Sequence, residues 1–236
     1  EIVSWVNFKR RFRLGPPTTT LCEIAGTQMA AFQIRDNLRH RNDIAHAYIQ
    51  AINTAEHEIL IANAYFLPGV RFGLALQAAA RRGVKITVLL QGKTDHPMLR
   101  FATQALYAAA LESGIRIFEY EKSFMHAKVA VIDRHWATVG SSNIDPFSLL
   151  LAKEANLFVQ DDVFAGQLRA SINEAIASGG REMGLEEMSR QPWHSRFMRW
   201  LSYGLVRAMV GMTGYGPKHW QADEETPGLT AESPRE

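Results

Sequence analysis

Short apolar runs alternate with amphipathic stretches along most of this chain, and that alternation predicts its elements. Ile59-Leu60-Ile61-Ala62 and residues 84–90 are nearly unbroken aliphatic runs, the pattern of strands covered on both faces. Residues 42–57 carry Ile44, Tyr48, Ile49 and Ile52 at helical spacing, with Asn42 or Asp43 placed to cap the start. Helices are also predicted over 70–82, ending at Gly83, over 98–113, ending at Gly114, over 144–152 and over 163–177. Strands are predicted over 115–120 and 154–160, and a strand pair over 21–34. Val129–Ile132 and Trp136–Val139 are β-branched runs around the polar break Asp133-Arg134-His135, which reads as a hairpin. Strands alternating with helices predict an α/β layered fold in which helices flank a mixed sheet.

Composition narrows the reading only where it is uneven. The 236 residues suffice for one domain with appendages, and 47% hydrophobic with 21% charged residues is ordinary for an α/β protein. The net charge of +2 hides a segregation. Lys9, Arg10, Arg11, Arg13, Arg35, Arg39 and Arg41 cluster near one end, and no acid lies between Met188 and Ala222. Residues 1–30 read as a basic connector, broken at Gly15-Pro16-Pro17. Residues 31–180 hold the chemistry, and 222–236 form an acidic tail expected to be disordered. Cys22 is the single cysteine, so no intrachain disulfide can form. The chain begins without Met and in mid-pattern, which reads as a segment of a longer protein.

The candidate chemistry lies in residues 126–143. On a strand, residues two apart share a face, so His126 and Lys128 project together. Gly140-Ser141-Ser142-Asn143 ends the following strand, and the hairpin brings that end beside them. Imidazole, ammonium, hydroxyl and amide together suit a phosphate diester. Lys128 and Asn143 hold non-bridging oxygens, while His126 attacks phosphorus or protonates a leaving oxygen. Glu154 is the expected orienter of the imidazole. Ser141 either binds phosphate or bonds the backbone; Asp133 is either catalytic or a turn cap. No His or Cys pair has metal-ligand spacing, and neither metal nor other cofactor is expected.

His126, Lys128, Asp133, Gly140, Ser141 and Asn143 stand as HxK, four residues, D, six residues, GSxN. In this the chain resembles the phospholipase D superfamily. Asn63-Ala64-Tyr65-Phe66, Gly92-Lys93-x-Asp95-His96-Pro97 and Phe118-Glu119-Tyr120 look like the C-terminal half of bacterial cardiolipin synthases. The resemblance implies a phospholipase D-like fold. It implies phosphatidyl transfer between phospholipids such as phosphatidylglycerol, through a phosphohistidine, at the cytoplasmic face of the bacterial inner membrane. Tyr65 and Asp95 are then either substrate contacts or loop packing. Members of that superfamily use two HxK motifs in one site, whereas this chain has one. The second is expected from a missing N-terminal half, with a homodimer partner as the alternative, and His126 takes the acid role. Phospholipase D hydrolysis, a nuclease on the same fold, and a non-catalytic lipid-binding module are the competing readings. Basic residues lie at the chain's ends rather than around the site, so no nucleic-acid partner is expected.

Residues 181–221 remain. Trp193, Phe197, Trp200, Leu201 and Leu205 fall near helical spacing with Arg196 and Arg199 among them. A helix rich in Trp and Arg and lacking acids is expected to lie on an anionic membrane surface, the alternative being packing on the domain or a partner.

Overall fold

A computed structural model describes residues 28–35, 40, 42–93, 97–145, 153–189 and 193–212. The elements are β1 (Met29–Arg35), α1 (Asp43–Thr54), β2 (Glu58–Asn63), α2 (Val70–Arg81), β3 (Lys85–Gln91), α3 (Pro97–Gln104), α4 (Tyr107–Glu112), β4 (Arg116–Tyr120), β5 (Lys128–Ile132), β6 (Trp136–Gly140), β7 (Glu154–Gln160), α5 (Asp162–Gly179), β8 (Gly180–Glu182), α6 (Leu185–Ser189) and α7 (Trp193–Met212). The strands form one mixed sheet in the order β1-β7-β6-β5-β2-β3-β4-β8. Pairing is parallel for β2-β3-β4 and antiparallel elsewhere.

Alternation along the central strands divides the core into two layers. Ile59 and Ile61 of β2 face one side, where Ile44, Tyr48 and Ile52 of α1 and Phe72 and Leu76 of α2 cover them. Leu60 and Ala62 face the other, under Ala165 and Ile172 of α5. Both faces of β2 and β3 are thus covered, which is why their sequences are apolar without alternation. Gly83 and Gly114 take positive φ (91° and 83°) where α2 and α4 end, as their positions in the sequence predict. The layered mixed sheet with flanking helices is the fold the alternating pattern predicts.

Several boundaries differ from expectation. Residues 98–113 form two helices, with a turn at Ala105-Leu106. The sheet continues past Gly180 into β8, which pairs with β4. One strand, β1, is described where a strand pair over 21–34 is expected; residues 1–27 lie outside the described set. Ile144, expected to start a helix, instead bridges Phe66, and 146–152 are also outside the described set, as is the acidic tail. Among the described residues, no helix is long and apolar enough to cross a membrane.

The β5–β6 hairpin is anchored at its turn. Asp133 and Arg134 both have positive φ (50° and 63°), a region Asp tolerates better than most residues. The Asp133 carboxylate accepts from the backbone N–H of Glu56 (2.7 Å), His57 (2.8 Å) and Glu58 (2.9 Å), tying the turn to the start of β2. Burial pushes this carboxyl up, but the three amides outweigh burial and hold it below the usual carboxylate range. Between its folded and ordinary pKa the unfolded chain binds a proton that the folded chain does not. Asp133 therefore contributes stability that is full above the ordinary value and is lost as pH falls through the folded one. Asp133→Asn should cost about 1–3 kcal/mol at neutral pH and flatten this part of the acid dependence, read from denaturant unfolding at several pH values.

Candidate active site

Cross-strand register places a polar row at one end of the sheet. Lys128 of β5 lies opposite Asn63 of β2, which lies opposite Leu90 of β3, which lies opposite Glu119 of β4. Cross-strand partners share a face, so this row projects to the α1–α2 side. Lys128 is 6% exposed and Asn63 is fully buried, whereas His126 is exposed. The segment before β5 is held on two sides. Met125 N–H donates to Gln91 Oε1 (2.6 Å) at the end of β3, and Ala64 N–H donates to the Ala127 carbonyl (2.9 Å). Lys128 Nζ donates to the His126 carbonyl (3.2 Å), so the buried ammonium also steadies the backbone that carries the imidazole.

The Gly140–Asn143 segment closes over this row through contacts with β7 and β2. Asn156, fully buried on β7, donates through Nδ2 to Thr138 Oγ1 (3.2 Å) and accepts from Ser142 N–H (3.4 Å). Gly140 lies directly opposite Asn156. A Cβ on Gly140 would stand 2.1 Å from Asn156 Oδ1 and 2.6 Å from the Ala155 carbonyl, so only glycine admits this approach. Ser141 N–H donates to the Ala155 carbonyl (3.0 Å), its hydroxyl donates to Glu154, and Ala155 N–H donates to Ser141 Oγ (3.0 Å). Ile144 N–H donates to Asn63 Oδ1 (3.4 Å), which draws the segment's far end onto β2. Gly140→Ala should cost about 1–3 kcal/mol and shift the 141–143 segment. Thermal melting measures the first effect and the serine amide NMR shifts the second.

Electrostatics at the row follow from burial. Burial pushes the Lys128 ammonium below the usual lysine value, against the opposing pull of the Glu154 and Asp145 carboxylates. The Lys128 ammonium is thus set against two carboxylates, of which Asp145 is 2% exposed, and fully buried Arg35 of β1 lies opposite Glu154.

Of the residues expected from sequence, His126, Lys128, Ser141, Asn143 and Glu154 come to the same end of the sheet, and Tyr65 lies half-buried in the loop leaving β2 there. Asp95 lies outside the described residues. Asp133 sits at the opposite end of β5, clamped by backbone amides, and the structure makes it a turn anchor rather than a reacting group. Glu154 bonds Ser141 rather than the imidazole, and among the described residues the His126 ring takes no hydrogen bond. Arg199, expected at a membrane surface, is 6% exposed and donates to Met188 Sδ (3.4 Å), while Trp193 and Trp200 are 78% and 69% exposed. The Arg196 side chain lies outside the described set. Asn63, Gln91, Asp145 and Asn156 were not singled out as site residues from sequence. Asn156 had a signal, since it interrupts an otherwise apolar strand, and Asn63 closes one.

The family described as "Cardiolipin synthase, PLD-like domain" matches residues 48–176. Cardiolipin synthase B of Shigella flexneri is 40% identical over 200 residues, which are 85% of this chain and 47% of that protein. The chain thus spans about half the length of the curated relatives it matches. Among solved structures, Nuc, a phospholipase D family member from Salmonella typhimurium, superposes with a TM-score of 0.56 at 18% identity, covering 66% of this chain and 99% of that one. Phosphatidylserine synthase of Haemophilus influenzae superposes with a TM-score of 0.59 at 10% identity, covering 81% and 48%. At such identities these two likenesses are of fold.

Proposed function

The chain belongs to the phospholipase D-like cardiolipin synthase family, and from that premise we propose that it supplies one histidine–lysine half of a phosphatidyltransferase site. The observation that carries this reading is the convergence of exposed His126, buried Lys128, Ser141 and Asn143 at one end of the sheet. In the reaction, the histidine of a second HxK motif attacks the phosphorus of a phosphatidylglycerol-like donor. The bond from phosphorus to the departing glycerol oxygen breaks, and His126 gives that oxygen a proton. The phosphatidyl group stays on the attacking nitrogen. An acceptor lipid hydroxyl then loses its proton to His126, its oxygen bonds phosphorus, and the P–N bond breaks. Lys128 and Asn143 hold the non-bridging oxygens throughout. Glu154 holds Ser141, keeping the 141–143 segment in place beside the phosphate.

Lys128 faces the Glu154 and Asp145 carboxylates, and fully buried Arg35 stands opposite Glu154 on β1; a second HxK motif would bring a further cation to an anionic diester. An exposed apolar row is the surface we assign to the half that carries it. Phe32, Leu157 and Val139 form one cross-strand row on β1, β7 and β6, and they are 65%, 36% and 39% exposed. That row runs next to the one containing Gly140 and Asn156, on the other face. A half-domain carrying the second HxK motif docks there, with a second copy of this chain as the alternative.

Attachment to the bilayer is assigned to α7, whose polarity is inverted. Among its described side chains Arg199 and Ser202 are buried, whereas Trp193, Phe197, Trp200 and Leu205 are 49–78% exposed. That face suits peripheral insertion at a lipid interface. Transfer and hydrolysis differ in whether a lipid hydroxyl or water reaches the intermediate. The test is lipid mass spectrometry on phosphatidylglycerol vesicles with both motifs present. Cardiolipin with glycerol is the expected product pair; phosphatidic acid with glycerol would establish hydrolysis instead.

A further inference from the structure

A cavity of about 220 Å³ lies on the same face of the sheet as Lys128, between α2, α3, α4 and the strands β3 and β4. Its wall includes Phe66, Gly73, Leu90 and Ile117, and Tyr203 of α7 closes one side. Val70 and Leu74, which also line it, are 61% and 57% exposed and give it an apolar mouth. The Tyr107 hydroxyl in the wall is committed to Glu119 (3.1 Å). At its upper end Phe66 bridges Ile144, the residue after Asn143. Leu90 stands two strands from Lys128 in the polar row, about 10 Å at the usual strand spacing. That is the reach of a glycerol backbone and the first carbons of an ester-linked chain.

We infer that this cavity holds one acyl chain of the phospholipid whose phosphate is bound at Lys128. The inference rests on the phosphodiester reading of that site. Charge complementarity selects the occupant: a buried ammonium and an apolar cavity on one sheet face match a ligand with an anionic head and an aliphatic tail. Tyr203 places the cavity against α7, so a chain leaving the bilayer at the Trp193–Trp200 surface enters past Val70 and Leu74. The site therefore draws one chain out of the membrane rather than acting on a headgroup presented at its surface.

The test uses the full chain and single-chain lysophosphatidylglycerols (hexanoyl, octanoyl and decanoyl), each below its micelle concentration, titrated by calorimetry. Affinity should rise about fourfold for each added methylene while the cavity fills. Gly73 lines the cavity and a Cβ there meets nothing within 4 Å, so Gly73→Phe adds a bulky ring at the wall with no clash at its first carbon. Leu74→Glu sets a charge at the mouth on an exposed position, where folding is indifferent to it. Both variants should flatten the chain-length dependence and leave the hexanoyl affinity nearly unchanged. Equal affinity for all three lipids in the unaltered chain, or the same dependence in both variants, would overturn the inference. Lys128→Ala separates the two readings. A uniform loss at every length with the dependence intact supports both. No loss, with the dependence intact, leaves the chain site standing and removes the phosphodiester reading.

Discussion

Replacing His126 with Ala should lower cardiolipin formation by about a thousandfold in an assembly that carries both HxK motifs, the scale of a lost general acid. The fold should be untouched, because the imidazole is exposed and takes no hydrogen bond among the described residues. In the proposed mechanism the substitution removes the proton donor for the leaving glycerol oxygen and the acceptor for the incoming hydroxyl. A donor lipid whose leaving group is p-nitrophenolate needs no such proton. Release of p-nitrophenol by His126→Ala should therefore be close to that of the unaltered enzyme in the first turnover. Equal loss on both donors would mean that His126 is the nucleophile. Rapid-quench kinetics on the two donors distinguishes these outcomes.

The second large effect is at Lys128. Lys128→Met should reduce kcat by about a hundred- to a thousandfold, since in the proposed mechanism it removes a preorganised cation from the phosphate oxygens. The pH dependence carries a separate signature. Burial sets the folded pKa of Lys128 below its unfolded value. Between the two, the unfolded chain holds a proton that the folded chain has lost, so stability rises with pH across that alkaline window. The rise should vanish in Lys128→Met. Melting curves at several alkaline pH values, set beside turnover, measure both consequences.

The contrast between these residues and the misjudged ones shows what a sequence can carry. Ile59-Leu60-Ile61-Ala62 and residues 84–90 were legible as buried strands because burial on both faces leaves a continuous apolar run. His126 and Lys128 read as face-sharing neighbours from their two-residue spacing, but β5 begins at Lys128, and His126 lies in the segment before it, exposed where Lys128 is buried. Asp133 was ambiguous because its partners, the amides of residues 56–58, are some 75 positions away and have no side-chain signal. Glu154 was expected to reach His126, yet the antiparallel β6–β7 ladder puts Ser141 next to it first. Arg199 read as a surface cation because charge ordinarily marks the solvated face of a helix. Among the described side chains of α7, Arg199 and Ser202 are buried and Tyr203 packs beside Leu99 and Leu106, whereas Trp193, Phe197 and Trp200 are exposed. The break that divides residues 98–113 at Ala105-Leu106 involves two good helix formers and left no mark on the pattern.

The claim on which everything turns is that this chain provides half of a shared two-histidine site. Its most direct test is cardiolipin formation on phosphatidylglycerol vesicles as a separately made N-terminal half of a relative is titrated into this chain. Expected are no product from either half alone, a maximum near equal amounts, and a rate about a thousandfold lower at every ratio with His126→Ala. Turnover by this chain alone would contradict it and point to a site assembled from two identical copies.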